Sequence, residues 1–185
     1  VLADVDPGNG FVPIPGDHGR IGPDALGQAI RAGATGSLND GAGALVSITN
    51  ATEWGTIYAP ADVAALAGVA RDAGLRLHMD GARFANAVAG LDCAPADLVR
   101  GVDALCLGGT KNGALAAEAV VFFDPALAQG FDYRRKQSGH VFSKQRYLAA
   151  QMLALMTDGL WLDLARHANA MAARPAEERT RAGAG

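Results

Sequence analysis

Short apolar runs alternate with helix-forming segments along most of this chain, and this alternation constrains the fold more than any other feature. Strands are predicted at 44–48, 75–79, 102–107 and 117–123. Helices are predicted at 23–33, 60–73, 81–89 and 95–100, and from about 143 onward with an interruption at Gly159. Strands that alternate with helices predict βαβ units and an α/β fold, in which a mostly parallel sheet is flanked by helices.

Proline and glycine mark the ends of two of these helices. Pro23 and Pro60 stand at a first turn, where a missing N–H does no harm, and Gly33 and Gly74 stand at the far end. Segment 35–43 is rich in Gly, Ser, Asn and Asp, which is typical of a loop. Because ligands bind beyond the carboxyl ends of the strands in such sheets, the polar residues at those ends are the site candidates.

Length and composition limit the possible partners. At 185 residues, with 50% hydrophobic and 19% charged residues, the chain is globular and long enough to bury one substantial core. The net charge of −3 comes without a large basic cluster, so neither nucleic acid nor an anionic membrane is an expected partner. The sequence has no apolar run long enough to span a bilayer and no visible secretory signal.

The two cysteines, Cys93 and Cys106, form neither a metal-ligand pattern nor a disulfide framework. We therefore expect no metal site, and we expect both thiols to be free in a reducing compartment. A cytoplasmic location follows as the prediction.

A glycine-rich turn around Lys111 follows the third predicted strand, and Asp80 ends the second one. A lysine on a tight turn between two apolar runs can present its amine to a flat cofactor. Asp80 supplies an anion, and Arg83 supplies a clamp for a carboxylate. Because neighbouring parallel strands end at the same edge of a sheet, Asp80 and Lys111 are expected to face one crevice. Together they suggest a pyridoxal 5'-phosphate (PLP) site, with Lys111 as the lysine that forms a Schiff base.

Each of these residues also has an ordinary structural interpretation. Asp80 would pair with the pyridinium nitrogen and make the ring an electron sink, or it would cap a helix that starts near Gly81. The fork of Arg83 suits a substrate carboxylate, or it is a solvated arginine one helical turn from Asp80. Thr110 would bind the cofactor phosphate, or it would bond locally within the turn.

Other polar residues near the strand ends are weaker candidates. Asn50, Thr52 or Glu53 could contact the ring oxygen of the cofactor, although polar loops after strands are common. His78 is expected to face the opposite side of its strand from Asp80, as a core histidine. The basic stretch from 134 to 146 is expected to be a solvated face, with a cofactor phosphate as its functional alternative, held across a subunit interface.

Taken together, these segments resemble the low-specificity L-threonine aldolases of the β-eliminating lyase group, a branch of the fold-type I PLP-dependent enzymes. The resemblance covers most of the chain, from about 15 to 173. The run His-Met-Asp-Gly-Ala-Arg and the turn Thr-Lys-Asn-Gly are its most specific parts. The matching stretches are SITNATEWGT at 47–56, LHMDGARFAN at 77–86, GTKNGA at 109–114, RRKQSGH at 134–140 and DGLW at 158–161.

The resemblance implies a role for each residue. Lys111 would carry the cofactor, Asp80 would pair with its pyridine nitrogen, Thr110 would contact it, and Arg83 would hold the substrate carboxylate. The implied reaction is the cleavage of a β-hydroxy-α-amino acid, giving glycine and acetaldehyde from L-threonine or L-allo-threonine. A homo-oligomer, dimer or tetramer, is implied for the full-length enzyme.

The chain is expected to be the central segment of such an enzyme. A Gly-rich phosphate-binding loop and a ring-stacking histidine would precede it, and a small C-terminal domain with a further arginine would follow it. Residues 1–158 are predicted to form part of the large PLP-binding domain. Residues 159–185 are predicted to form a helix that leads toward the small domain.

Two other functions stay open on this sequence. One is another PLP-dependent lyase of the same group, which would cleave a bond by β-elimination instead. The other is an inactive remnant of the aldolase that binds no cofactor. A nucleotide-binding module is disfavoured because no Gly-rich phosphate fingerprint is present.

Overall fold

The computed structural model describes residues 12–33, 45–141 and 143–181, with side chains as far as 175. The strands are β1 (Leu45–Thr49), β2 (Arg76–Gly81), β3 (Ala104–Gly108) and β4 (Glu118–Phe122). The helices are α1 (Pro23–Gly33), α2 (Pro60–Asp72), α3 (Phe84–Leu91), α4 (Pro95–Leu98), α5 (Phe131–Gln137), α6 (Gln145–Met156) and α7 (Leu160–Arg181). Single 3-10 turns lie at Thr110–Asn112, Pro125–Ala128 and Thr157–Gly159.

The four strands form one sheet in the order β1-β2-β3-β4. The first three are parallel, and β4 runs antiparallel to β3 at the edge. The antiparallel edge follows from the short connection between Gly108 and Glu118, since a parallel crossover needs about a dozen residues or more. The predicted α/β fold with a mostly parallel sheet is therefore confirmed.

The core lies between one face of this sheet and α2. Alternate residues of a strand point to the same face, so Leu77 and Met79 of β2 enter the core together. Val63 and Leu66 meet them from α2, and all four side chains are fully buried. This layer fixes the sheet from which the loops of the site extend.

Helix α7 packs against α3. The rings of Phe84 and Trp161 are stacked, with centroids 6.3 Å apart and planes 8° from parallel. About two turns further along α7, the Asn86 amide donates to Asn169 Oδ1, and the Asn169 amide donates to the Asn86 carbonyl, both at 3.0 Å. These contacts tie the C-terminal helix to the part of the chain that carries the sheet. The predicted domain division after 158 stays a prediction.

Several predicted boundaries differ from the structure. The helix predicted at 81–89 begins only at Phe84, because Gly81 still pairs with Leu107 as the last residue of β2. Helix α5 was not predicted. The break near Gly159 is confirmed, since Asp158 and Gly159 both have left-handed φ angles, 53° and 77°.

Two further expectations concern the chain's margins. The loop predicted at 35–43 lies outside the described residues. In the segment predicted to be helical from 159 onward, α7 continues past Pro175 to Arg181. Within the described ranges, no helix is both long and apolar enough to cross a membrane.

Candidate active site

Two turns that carry the predicted site residues leave the sheet side by side. Strand β2 ends at Asp80–Gly81 and β3 ends at Gly108, and these strands are parallel neighbours, with Gly81 level with Leu107. The turn after each strand therefore starts at the same edge of the sheet. This arrangement confirms that Asp80 and the Lys111 turn share an edge.

Glycine allows the two turns to touch. A Cβ atom on Gly108 would lie 2.8 Å from the Ala82 Cα, and one on Gly109 would lie 2.6 Å from the Ala117 carbonyl oxygen. Both distances are too short for any side chain. The glycines before Lys111 are thus required by the close approach of backbone to backbone.

Lys111 lies in the 3-10 turn that follows, with its side chain exposed. Gly113 ends this turn with a φ of 102°, a conformation that favours glycine. The amide of buried Asn112 donates to the Trp161 carbonyl at 2.8 Å, which anchors the turn to α7. The lysine is therefore presented on a turn that is held from both sides.

Asp80 is half-buried, and its Oδ1 accepts the Ala82 N–H at 2.9 Å. This bond closes an Asx turn between β2 and α3. The alternative interpretation, in which Asp80 caps a helix that starts near Gly81, is therefore wrong, because α3 starts later, at Phe84. Within the described part of the chain, no hydrogen bond reaches Oδ2, so one carboxylate oxygen is left for another donor.

Arg83 stands just before α3 rather than within a helix, contrary to the predicted helix that included it. Its Nη1 donates to Glu53 Oε1 at 2.9 Å and its Nη2 donates to Glu53 Oε2 at 2.8 Å. This bidentate pair consists of two charge-assisted hydrogen bonds. Sequence analysis named Glu53 only as a possible ring contact and missed its pairing with Arg83.

Charges link the pair to the rest of the site. The hydrogen bond and charge of Arg83 lower the pKa of Glu53, and the charge of Lys111 adds to this effect. The hydrogen bond from Arg83 to Glu53 raises the pKa of Arg83, and the Asp80 carboxylate contributes in the same direction. The four residues therefore act on each other electrostatically.

Thr110 is engaged with a residue that sequence analysis did not identify. Its hydroxyl donates to Glu118 Oε1 at 2.5 Å, and its backbone N–H donates to the same oxygen at 3.3 Å. Glu118 begins β4 opposite Gly108. A glutamate at the start of an edge strand carries no sequence signal of such a role, because only the antiparallel pairing brings it to the turn.

The polar loop after β1 is largely self-contained. The Asn50 amide donates to the Tyr58 carbonyl, and the Tyr58 N–H donates to Asn50 Oδ1, both at 3.1 Å. The Thr52 and Thr56 hydroxyls lie 2.6 Å apart. Asn50 and Thr52 thus close the loop that carries Glu53, as expected for a structural strand-end loop.

His78 was predicted to face away from Asp80, and this prediction was wrong. Residues two apart on a strand share a face. Accordingly, His78 Nε2 lies 3.3 Å from the Sγ atom of Cys106, the residue level with Asp80, and Nδ1 lies 2.9 Å from the Ser47 hydroxyl. Burial lowers the pKa of His78, against the opposing charge of Asp80.

Cys106 belongs to the same face of the sheet. Burial raises the pKa of its thiol, and the carboxylates of Asp80 and Glu118 add to the effect. A cysteine held protonated beside a neutral histidine is a poor nucleophile. Ser47, His78 and Cys106 therefore form a neutral polar row that supports the strand ending in Asp80.

The basic stretch lies mainly on α5. Arg134, Arg135 and Lys136 occupy its last turn and are exposed, which agrees with a solvated face. Positive charge at a helix C-terminus is favourable in itself. The alternative role, binding a cofactor phosphate, stays a prediction. Among the described residues, no three His, Cys, Asp or Glu side chains are grouped to hold a metal.

Comparison with known proteins identifies the family. The chain matches the family model of the beta-eliminating lyases over residues 4–184 and belongs to this family. The solved structure of threonine aldolase from Leishmania major superposes with a TM-score of 0.87 at 30% identity, covering 93% of this chain and 50% of that one. The described architecture, a mostly parallel sheet flanked by helices, is accordingly that of a fold-type I PLP-dependent enzyme.

Two curated relatives refine this assignment. A low specificity L-threonine aldolase from Pseudomonas sp. (strain NCIMB 10558) is 51% identical over 127 residues, which are 68% of this chain and 37% of that protein. The protein of the same name from Pseudomonas aeruginosa is 50% identical over 135 residues, 72% of this chain and 39% of that protein. The chain thus spans about two fifths of the length of these relatives.

Proposed function

We propose that this chain supplies the central part of a PLP-dependent lyase that cleaves L-threonine or L-allo-threonine to glycine and acetaldehyde, with Lys111 as the Schiff-base lysine. One observation carries the proposal. The turn that bears Lys111 and the turn that follows Asp80 are in backbone contact at the ends of neighbouring parallel strands, where α/β sheets bind ligands. The names of the two Pseudomonas relatives support the choice of substrate.

The residues present fit PLP. Asp80 has an oxygen available for the pyridine nitrogen, and a carboxylate there favours the protonated ring. Gly108 lets the turn that bears Lys111 lie against the backbone of Ala82, two residues after Asp80. Lys111 offers an exposed amine. When bound, PLP supplies the electron sink for breaking a bond at Cα.

In this proposal the protein mainly orients the substrate. Arg83 would bind the substrate carboxylate through its fork and so fix the orientation of the substrate. Of the proposed cofactor contacts, Thr110 is the one whose hydroxyl proton is already donated, to Glu118, so only its oxygen could accept a further hydrogen bond. The base that removes the β-hydroxyl proton is not assigned to a residue of this chain. We also propose that the full-length enzyme is a homo-oligomer and is cytoplasmic.

The Schiff-base assignment can be tested by chemical trapping. The sequence contains three lysines, Lys111, Lys136 and Lys144, so a pyridoxyl label fixed with borohydride is readily mapped by mass spectrometry. We expect the label on Lys111, its loss in Lys111→Arg, and its retention in the matched variant Lys136→Arg. A label spread over Lys136 and Lys144, or no label at all, would contradict the proposal and favour an inactive remnant.

A second function is favoured by the breadth of the family match. The family is named for β-elimination, in which a Cβ–X bond is broken instead of Cα–Cβ. A product assay on the PLP-loaded protein, without borohydride treatment, separates the two activities. Acetaldehyde and glycine from threonine would support the aldolase, whereas a keto acid and ammonia would support the other lyase.

A further inference from the structure

The guanidinium fork of Arg83 already holds a carboxylate of the chain itself. Glu53 occupies both outer N–H directions, at 2.9 and 2.8 Å. Bidentate pairing is the geometry that an α-amino acid carboxylate would also adopt. An intramolecular group and a ligand group of the same chemistry therefore compete for one set of donors.

The position of this pair distinguishes it from the arginine–carboxylate contacts within a single helix or turn, and from Arg76–Asp103, which lies at the start of β2. Arg100–Asp97 and Arg166–Asp163 join residues three apart on the surface, at 2.8 and 2.9 Å. Arg83 and Glu53 instead join the loop after β1 to the turn after β2, at the edge of the sheet where the Lys111 turn also lies. The charge of Lys111 also reaches Glu53, lowering its pKa together with the dominant effect of Arg83.

The exposure of the two side chains makes exchange feasible. The Glu53 side chain is 68% exposed, so its carboxylate can return to water at little cost, whereas the Arg83 side chain is 29% exposed and stays in place. The loop that carries Glu53 is held independently, by Asn50 and by the Thr52–Thr56 contact. Releasing Glu53 from Arg83 therefore leaves the loop closed.

We propose that Glu53 is an internal competitor for the carboxylate fork of Arg83, so that an α-amino acid binds by exchanging its own carboxylate for that of Glu53. The inference rests on the proposed function, in which Arg83 receives the substrate carboxylate. Glu53 is an affinity-setting residue in this scheme and takes no part in bond cleavage. The exchange conserves the number of charge-assisted hydrogen bonds, so net affinity comes from the remaining contacts of the ligand.

Neutralising the competitor should tighten carboxylate binding. Glu53→Gln keeps the size of the side chain but removes its charge and one acceptor oxygen for the fork. Exposed ion pairs are weak, so we expect the dissociation constant of glycine to fall by about two- to five-fold. Equilibrium dialysis of glycine against the PLP-loaded protein at neutral pH measures this constant without requiring turnover. Asp97→Asn, which removes the carboxylate of the Arg100 pair, is the matched control and should leave it unchanged.

The double variant separates the inference from the proposed function. Arg83→Gln should weaken glycine binding, and adding Glu53→Gln to it should have no further effect, because the contested donors are gone. Weaker or unchanged glycine binding in Glu53→Gln, with the expected loss in Arg83→Gln, would overturn the competitor role alone. Unchanged binding in Arg83→Gln would instead overturn the proposed carboxylate site.

Discussion

The contact between the two site turns can be tested by adding one methyl group at Gly108. A Cβ atom there would lie 2.8 Å from the Ala82 Cα and 3.1 Å from both the Ala82 carbonyl oxygen and Glu118 Oε2. Carbon atoms pack at about 3.5 Å or more, so the turns must separate by about 0.7 Å. The nearest obstacle is backbone, which cannot rotate away as a side chain could.

Overpacking of this kind costs about 1–3 kcal/mol in the free energy of unfolding. With a urea dependence of about 2 kcal/mol per molar, the unfolding midpoint of Gly108→Ala should fall by about 0.5–1.5 M. The shift should also move Lys111 relative to Asp80. We therefore expect the folded variant to show less pyridoxyl labelling of Lys111 after borohydride reduction, measured on the same peptide as in the parent protein.

Gly68 provides the control for the same substitution. It lies inside α2, and a Cβ atom added there meets no heavy atom within 4 Å. Gly68→Ala should raise stability by about 0.5–1 kcal/mol, because alanine loses less backbone entropy in a helix. If Gly108→Ala unfolds at the same urea concentration as the parent, or labels as efficiently as Gly68→Ala, the close contact between the turns is refuted.

Three further predictions concern the packing around the site. Burial lowers the pKa of His78, so the histidine binds a proton more readily in the unfolded chain than in the folded one. The contribution of His78 to the free energy of unfolding is therefore fully present above about pH 6.5. It is lost as the pH falls through the pKa of the folded state. Melting temperatures at pH 8 and pH 5.5 should thus differ less in His78→Gln than in the parent, while His167→Gln, on exposed α7 surface, should keep the parent's difference. Phe84→Ala should lower the free energy of unfolding in urea by about 3–5 kcal/mol, because the Phe84 ring is buried against α7. Tyr133→Ala is the control and should change it by about 0.5 kcal/mol or less, because Tyr133 is exposed. Equal effects of the two substitutions would argue against the packing of α3 on α7. Asn112→Ala should cost about 0.5–1.5 kcal/mol by the same measurement, because it removes the hydrogen bond from the turn to the Trp161 carbonyl, and an unchanged midpoint would mean that the turn is not anchored there.

The sequence predicted the parts of the fold that depend on local pattern. Hydrophobic periodicity and the prolines at 23 and 60 located α1, α2 and the strands within one or two residues. Helix α5 was missed because its residues, Phe131–Gln137, are largely charged and polar and present no apolar face. The orientation of β4 was not predictable from residue type, because it is set by the length of the connection from Gly108.

The same distinction, between features set by local pattern and features set by contacts across the fold, applies to the site. The shared edge of Asp80 and Lys111 was predictable because one lies at the end of a strand and the other in the turn just after the next strand. The partners of Arg83 and Thr110 were not, since Glu53 is 30 residues away from Arg83 and Glu118 is brought to Thr110 only by the antiparallel pairing of β4. The error on His78 was of another kind, because the two-residue period of a strand already places it on the side of Asp80.

These two glutamates change how the site should be understood. Each places a carboxylate on a donor that the sequence assigned to a ligand: Glu53 on the fork of Arg83, and Glu118 on the hydroxyl of Thr110. The two cases differ in consequence, although both glutamates are exposed. The Glu53 side chain contacts only the fork of Arg83, whereas Glu118 accepts both the hydroxyl and the backbone N–H of Thr110 and is fixed by the pairing of β4. Exchange with an incoming anion is therefore feasible at Arg83 and unfavourable at Thr110. Under the proposed function, carboxylate binding at Arg83 would therefore be the adjustable part of this site, and the turn bearing Lys111 would be its fixed part.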